Sequence, residues 1–231
     1  MQEIEALRAM ADPDRAAREA GRHKSGRETL GLTPAQMAEQ VAAWRLRPLE
    51  ARLALSAALW QADLHETRMI APRLLAQARV AADQPVWQML TGWLPDLDGA
   101  ALADAVATAL QKRVAADPAR LDEAETWLEA TNPWIRRVAL ASALPFAKMP
   151  HPKDADQAAR LRAHDWAARL AADPHGAVQQ AVAVWLRTLA PRDPDAVAAF
   201  IATHGPQMKP HALAEARRAI EARGTPDGQE R

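Results

Sequence analysis

The side chains able to do chemistry in this sequence are few in kind. It has no cysteine, which removes thiol nucleophiles, disulfides, iron–sulfur ligation and cysteine-based zinc sites. Its seven histidines, at 23, 65, 151, 164, 175, 204 and 211, show no H-E-x-x-H or comparable ligand spacing, so no metal and no cofactor is expected. Ser25, Ser56 and Ser142 stand outside any nucleophile-elbow context, and no G-x-G-x-x-G or Walker-type run offers a phosphate loop. What remains is carboxylates and cations on helices. Asp104 lies about 120° to 160° around its helix from the Leu102, Val106 and Leu110 stripe, so it should leave the core. Arg136 and Arg137 are adjacent and cannot share a face, and Arg137 falls on the side of Trp134 and Ala141. Arg187, Lys148 and Lys153 are further cations suited to phosphate.

The elements that position these residues read as helices throughout. Of the ten aromatic residues eight are Trp and none is Tyr, and glycines number only nine. Strand formers are thin, and no sheet is expected. A capping residue followed by Pro recurs at Thr33-Pro34, Asp117-Pro118, Asn132-Pro133, Asp173-Pro174 and Asp193-Pro194, a pattern that satisfies one orphan N–H and dispenses with another at a helix start. Between these marks apolar residues keep helical spacing, as in Leu102, Val106, Leu110 and Val114, or Val178, Val182, Trp185 and Leu189. Prolines opening the more apolar helices fall at 48, 85, 133 and 174, at intervals of 37, 48 and 41, each followed by a Trp-bearing helix. That interval brackets the ~40–47 residues of HEAT-like repeats. The expected fold is therefore all-α, HEAT-like helical repeats stacked into a curved α-solenoid with a concave face, the alternative being an irregular bundle with accidental spacing. One domain over 1–223 and a polar tail over 224–231 are expected. Apolar stretches such as Val138 to Ala147 fall short of the ~18 residues of a membrane span, and no N-terminal segment reads as a secretory signal, so the expected setting is cytoplasmic.

Three stretches carry a resemblance. Gln179-Gln180-Ala181-Val182-Ala183-Val184-Trp185-Leu186-Arg187 with Asp193-Pro194-Asp195-Ala196-Val197 and Phe200-Ile201 is the closest. Asn132-Pro133-Trp134-Ile135-Arg136-Arg137-Val138-Ala139-Leu140 is the second. His23-Lys24-Ser25-Gly26-Arg27 with Leu30-Gly31-Leu32-Thr33-Pro34 is the third. In register, they resemble the bacterial AlkD-like DNA alkylation repair glycosylases, HEAT-like-repeat proteins that excise cationic N3- and N7-alkylated purines. In that family a carboxylate and two Trp side chains cradle the lesion and a nearby Arg grips the backbone. The resemblance places that Arg on Arg137. It places the carboxylate, from a Trp-x-x-x-Asp pattern about 35 residues earlier, on Asp104, which stands 33 before Arg137. A rival register on Trp87 or Trp93 leaves Thr91 or Leu97 four residues later and no carboxylate.

Both cradle tryptophans are replaced. The first falls on Ala100 and the second on Val184, with Trp185 one position on. One position is about 100° on a helix, so Trp185 joins Val182, Ala181 and Val178 in the core, while Val184 shares a face with Gln180 and Arg187. A lesion-side Tyr falls on Arg22, with His23 beside it. Trp87, Trp93 and Trp134 read as core packing.

The function the resemblance implies is a DNA-binding alkylation-repair protein acting as a monofunctional glycosylase through Asp104, with activity reduced because neither Ala100 nor Val184 offers a π face to a cation. Its partner is alkylated double-stranded DNA, contacted by Arg137, Arg136, Arg187, Lys148, Lys153, Arg22 and His23. A monomer is expected, nucleoid-associated when bound and without membrane contact. Against this stands the balance of 29 basic and 29 acidic residues, because DNA binders usually carry a basic excess. Two other readings stay open: a non-catalytic relative that recognises distorted DNA by its backbone, and a helical-repeat scaffold for proteins.

Overall fold

A computed structural model describes residues 2–23, 26–80 and 83–224, with the side chains of 22, 23 and 222–224 outside the description. The described residues hold fourteen α-helices and no strand, and the chain divides into two compact units, Met1–Arg113 and Val114–Arg231. No described helix is long and apolar enough to cross a membrane. Apart from Gly224, the expected tail lies outside the described residues.

The first unit contains α1 (Gln2–Ala9), α2 (Pro13–His23), α3 (Pro34–Trp44), α4 (Leu49–Gln61), α5 (His65–Leu75), α6 (Asp83–Gly92) and most of α7 (Ala100–Ala116). α5 packs against both α3 and α4. Thr33 starts α3 with a capping box closed by Gln36. The loop before it is built around one carboxylate. Glu66, buried on α5, accepts the N–H groups of Leu30 at 2.9 Å, Gly31 at 2.8 Å and Leu32 at 3.1 Å and the Thr29 hydroxyl at 2.8 Å. Gly31 has φ +74°, and a Cβ there would run into the Asp12 carbonyl oxygen and the Ala16 nitrogen, so only glycine fits.

Burial raises the Glu66 pKa, but the hydrogen bonds from Leu30, Thr29 and Leu32 outweigh it and hold the carboxyl below its ordinary value of 4.5. A depressed folded-state pKa stabilises the protein above the unfolded value and is lost as pH falls through the folded one. We therefore expect Glu66→Gln to destabilise by about 2–3 kcal/mol near neutrality. The gap to wild type should narrow below about pH 4.5, as read from urea midpoints across pH. A constant gap would contradict this.

The second unit contains α8 (Leu121–Thr126), α9 (Pro133–Ser142), α10 (Leu144–Lys148), α11 (Asp154–Leu170), α12 (Gly176–Leu189), α13 (Pro194–His204) and α14 (Pro210–Gly224). α12 packs between α9 and α14, while α8 contacts α9, α11 contacts α12 and α13 contacts α14. Contacts recur at a near-constant sequence separation. Arg162 pairs with Asp122 and Glu125, 40 and 37 residues away, and Arg169 with Glu125 and Glu129, 44 and 40 away. Arg136 reaches Asp173 over 37 residues and Arg137 reaches Ala177 over 40. This is the pattern that stacked helix pairs of about 40 residues produce.

Asn132 and Asp193 cap α9 and α13 as expected, accepting the N–H groups of Trp134 and Ala196 at 2.9 and 3.0 Å. Asp117-Pro118 opens a 3-10 turn, Pro118–Arg120, in place of an α-helix. Asp173-Pro174 does not start α12, which begins at Gly176 with His175 as its cap. The reason lies in the Asp173 carboxylate, which accepts both Arg136 and the His175 N–H at 2.8 Å.

Candidate functional site

In the first unit the residue of interest is Asp104, in the second turn of α7. Leu102, Val106, Leu110 and Val114 are buried as their spacing requires, and Asp104 is exposed on the opposite stripe with Ala100, Ala101, Thr108 and Lys112. The Thr108 hydroxyl donates to the Asp104 carbonyl at 2.8 Å, a bond within the helix that leaves the carboxylate on the surface. Ala100 stands one turn before Asp104 on the same face. The side chains one turn toward the N-terminus from Asp104, Ala100 and Ala101, are therefore methyl groups.

In the second unit the order of residues along α12 decides which side chain is presented. Trp185 is 0% exposed, and its indole N–H donates to His164 Nδ1 at 3.4 Å. That imidazole lines a groove of about 380 Å³ between α11 and α13, with Phe200 and His204. Burial, and then the nearby His204, holds its pKa below the ordinary histidine value, as suits a ring that accepts a hydrogen bond. Val184 is half-buried, on the outward stripe of Ala177, Gln180 and Arg187. Glu215 on α14 accepts the Gln180 amide at 2.6 Å and pairs with the exposed Arg187 at 2.8 Å.

The neighbouring stripe on α9 carries Trp134, Arg137 and Ala141. Trp134 is half-buried, not sealed in the core, and meets His175 edge-on at 5.3 Å between ring centres. Arg137 is 8% exposed and donates to the Ala177 carbonyl at 2.7 Å, so it bridges α9 to the first turn of α12. His211 of α14 lies beside Gly176. Arg137 is thus tied to the first turn of α12, the helix whose outward stripe carries Val184 and Arg187.

Arg136 is held elsewhere. Its guanidinium pairs with Asp173 at 2.7 and 3.1 Å and donates to the carbonyls of Ala130 and Thr131 at 2.7 and 3.1 Å. Lys148 and Lys153 are exposed at the end of α10 and the cap of α11. The sequence reading missed Arg192, which is exposed and donates to the Lys148 carbonyl at 3.0 Å. It lies 44 residues after Lys148, the separation that Arg169 and Glu125 also show in this unit. Buried Arg160 supports the same loop from the carbonyls of Phe146 and Met149. The side chains of Arg22 and His23 lie outside the described residues.

Trp87 and Trp93 are buried. Trp93 stacks on Trp60 at 4.2 Å, Trp60 donates to Asp96 at 2.9 Å, and Arg68 lies over the Trp60 ring. These rings are packing and ion-pair scaffolding. Among the described residues no three His, Asp or Glu side chains converge as metal ligands.

A family model described as DNA alkylation repair enzyme matches residues 4–220. A solved structure from Enterococcus faecalis, described as a predicted DNA alkylation repair enzyme, is similar over 90% of this chain and 95% of its own, with 18% identity and a TM-score of 0.67. The smu.31 protein of Streptococcus mutans UA159 is similar over 81% of this chain and 89% of its own, with 16% identity and a TM-score of 0.56. At these identities the likeness speaks for the fold. No curated relative matches the chain.

Proposed function

The chain belongs to the DNA alkylation repair enzyme family, and from that premise we propose that it binds alkylated double-stranded DNA and hydrolytically releases N3- or N7-alkylated purines, with Asp104 as the catalytic carboxylate. The observation that carries the reading is the placement of Asp104 on an exposed stripe of α7 whose neighbours toward the N-terminus are alanines. A strand can lie against such a face with its sugar near the carboxylate.

The chemistry asks little of the protein. A cationic alkylpurine is already a good leaving group, and positive charge moves onto the sugar as the N-glycosidic bond breaks. A fixed carboxylate stabilises that charge and orients the attacking water. The products are the free base and an abasic sugar. The positions where the family resemblance calls for aromatic faces are Ala100 and Val184 here, so lesion capture is weak.

Arg187, Lys148, Lys153 and Arg137 are the proposed phosphate contacts. Arg136 is better read as a clamp between repeats. Wild type should release 3-methyladenine and 7-methylguanine from methylated duplex under single-turnover conditions. Duplex affinity should fall with salt at a slope of about −0.9 per phosphate contact, and Arg136→Ala should leave that slope unchanged. A second reading, a scaffold for proteins, is favoured by the zero net charge and by the internal acceptors of Arg136 and Arg137. Failure to bind duplex at low salt would decide for it.

A further inference from the structure

The two sides of α11 differ. One is closed against α8 and the turn after it by the ion pairs of Arg162 with Asp122 and Glu125 and of Arg169 with Glu125 and Glu129. On the other side, among the described residues, no ion pair spans from α11 to α13, and the groove of about 380 Å³ stands open between them. Its walls are flat, because Ala168 on α11 and Ala196 and Ala199 on α13 present only methyl groups. Phe200, buried, forms the floor, with the His164 ring at 5.2 Å from its centre and the His204 ring at 4.8 Å.

The hydrogen-bonding groups of the groove are set by the core behind it. His164 Nδ1 accepts the Trp185 indole N–H, so the neutral imidazole carries its hydrogen on Nε2. Burial, reinforced by the charge of His204 and opposed by those of Asp193 and Asp165, holds the His164 pKa below the ordinary histidine value, which keeps the ring in that form at neutral pH. The Nε2 hydrogen has no acceptor among the described residues. Next to it, the Asp165 carboxylate lines the groove, is exposed and makes no ion pair there. A donor of fixed tautomer thus stands beside an anionic acceptor over an aromatic floor.

We propose that this groove binds an uncharged, planar nitrogen bicycle of purine size, a free base or nucleoside, whose ring nitrogen accepts from His164 Nε2 and whose neighbouring amino group donates to Asp165. The volume lies at the low end for small-molecule sites, and alanine walls over a phenyl floor suit a flat ring. A phosphate-bearing ligand is disfavoured, since the imidazole is neutral and the adjacent Asp165 is negative. A helix from a partner protein would need a row of apolar anchor points, and Leu161 is the one large apolar side chain exposed here. The inference does not rest on the duplex binding proposed above.

The test is calorimetric titration of the full chain at neutral pH with benzimidazole and with indole, which has a C–H in place of the acceptor nitrogen, and with adenosine in parallel. Benzimidazole and adenosine should bind, and indole should bind about tenfold more weakly, the worth of one hydrogen bond. Ala199→Leu, a surface change on α13 that preserves folding, should fill the groove and abolish binding of all three. His164→Phe keeps a ring and removes the N–H, so it should weaken benzimidazole about tenfold and leave indole unchanged. Equal affinity of wild type for benzimidazole and indole overturns the inference, as does unchanged binding by Ala199→Leu or no wild-type binding at millimolar concentration. Each of these results leaves the proposed function standing.

Discussion

Trp185→Ala should lower stability by about 3–5 kcal/mol, while Val184→Ala, one residue earlier, should change it by less than about 1 kcal/mol. The indole of Trp185 is sealed between α12 and the layer behind it and gives its N–H to His164. Its removal leaves a cavity the size of an indole and an imidazole nitrogen without its donor. Val184 keeps part of its surface in water, so its truncation removes little buried area. Urea unfolding of the two variants measures the difference. Similar losses for both would mean that α12 is rotated from the orientation described.

Under the proposed function, Ala100→Trp and Val184→Trp, made separately, should each raise the single-turnover release of cationic alkylpurines by about tenfold. Each aromatic face contributes about 0.5–2 kcal/mol of cation attraction when suitably placed. Both positions are open enough to take the larger side chain: Ala100 is exposed at the start of α7 and Val184 is half-exposed on α12. The test of mechanism is selectivity. Release of 7-methylguanine, whose nucleotide is cationic in the duplex, should gain far more than release of hypoxanthine from its neutral nucleotide, because a ring quadrupole rewards charge. An equal gain on both substrates would show that the new rings act by shape alone.

Much of this arrangement was legible in the sequence because it depends on helical period. The stripe through Leu102, Val106 and Leu110 fixed which way Asp104 leaves α7, and the one-residue offset between Val184 and Trp185 fixed which of them is core. Asn132-Pro133 and Asp193-Pro194 marked true helix starts because their side chains cap locally. What escaped notice was non-local. Asp173-Pro174 carries the same local signal, yet the Asp173 carboxylate is engaged by Arg136 from 37 residues away, and α12 starts two residues later.

The same physics hid the state of the arginines. Arg52, Arg113 and Arg160 are buried, the first and last on carbonyls of helix ends and the loops after them, and Arg113 against Asp83 and the carbonyls of Gln77 and Ala78. Cations at a helix C-terminus are favoured by its unsatisfied carbonyls, but nothing in a linear sequence says which arginine will reach which helix end. A count of basic residues therefore overstates the charge available to DNA. The Glu66 nest escaped for the converse reason, since its partners are backbone N–H groups that leave no compositional trace beyond Gly31.

Under the proposed function, the exposed carboxylate of α7 performs the chemistry. Its most direct test is the single-turnover release of 3-methyladenine and 7-methylguanine from methylated duplex by wild type and by Asp104→Asn, with duplex affinity measured in parallel. The carboxamide keeps the shape and removes the charge, so release should fall by about 10²–10³-fold while affinity stays within about twofold. Release that survives the substitution at the wild-type rate would contradict the account.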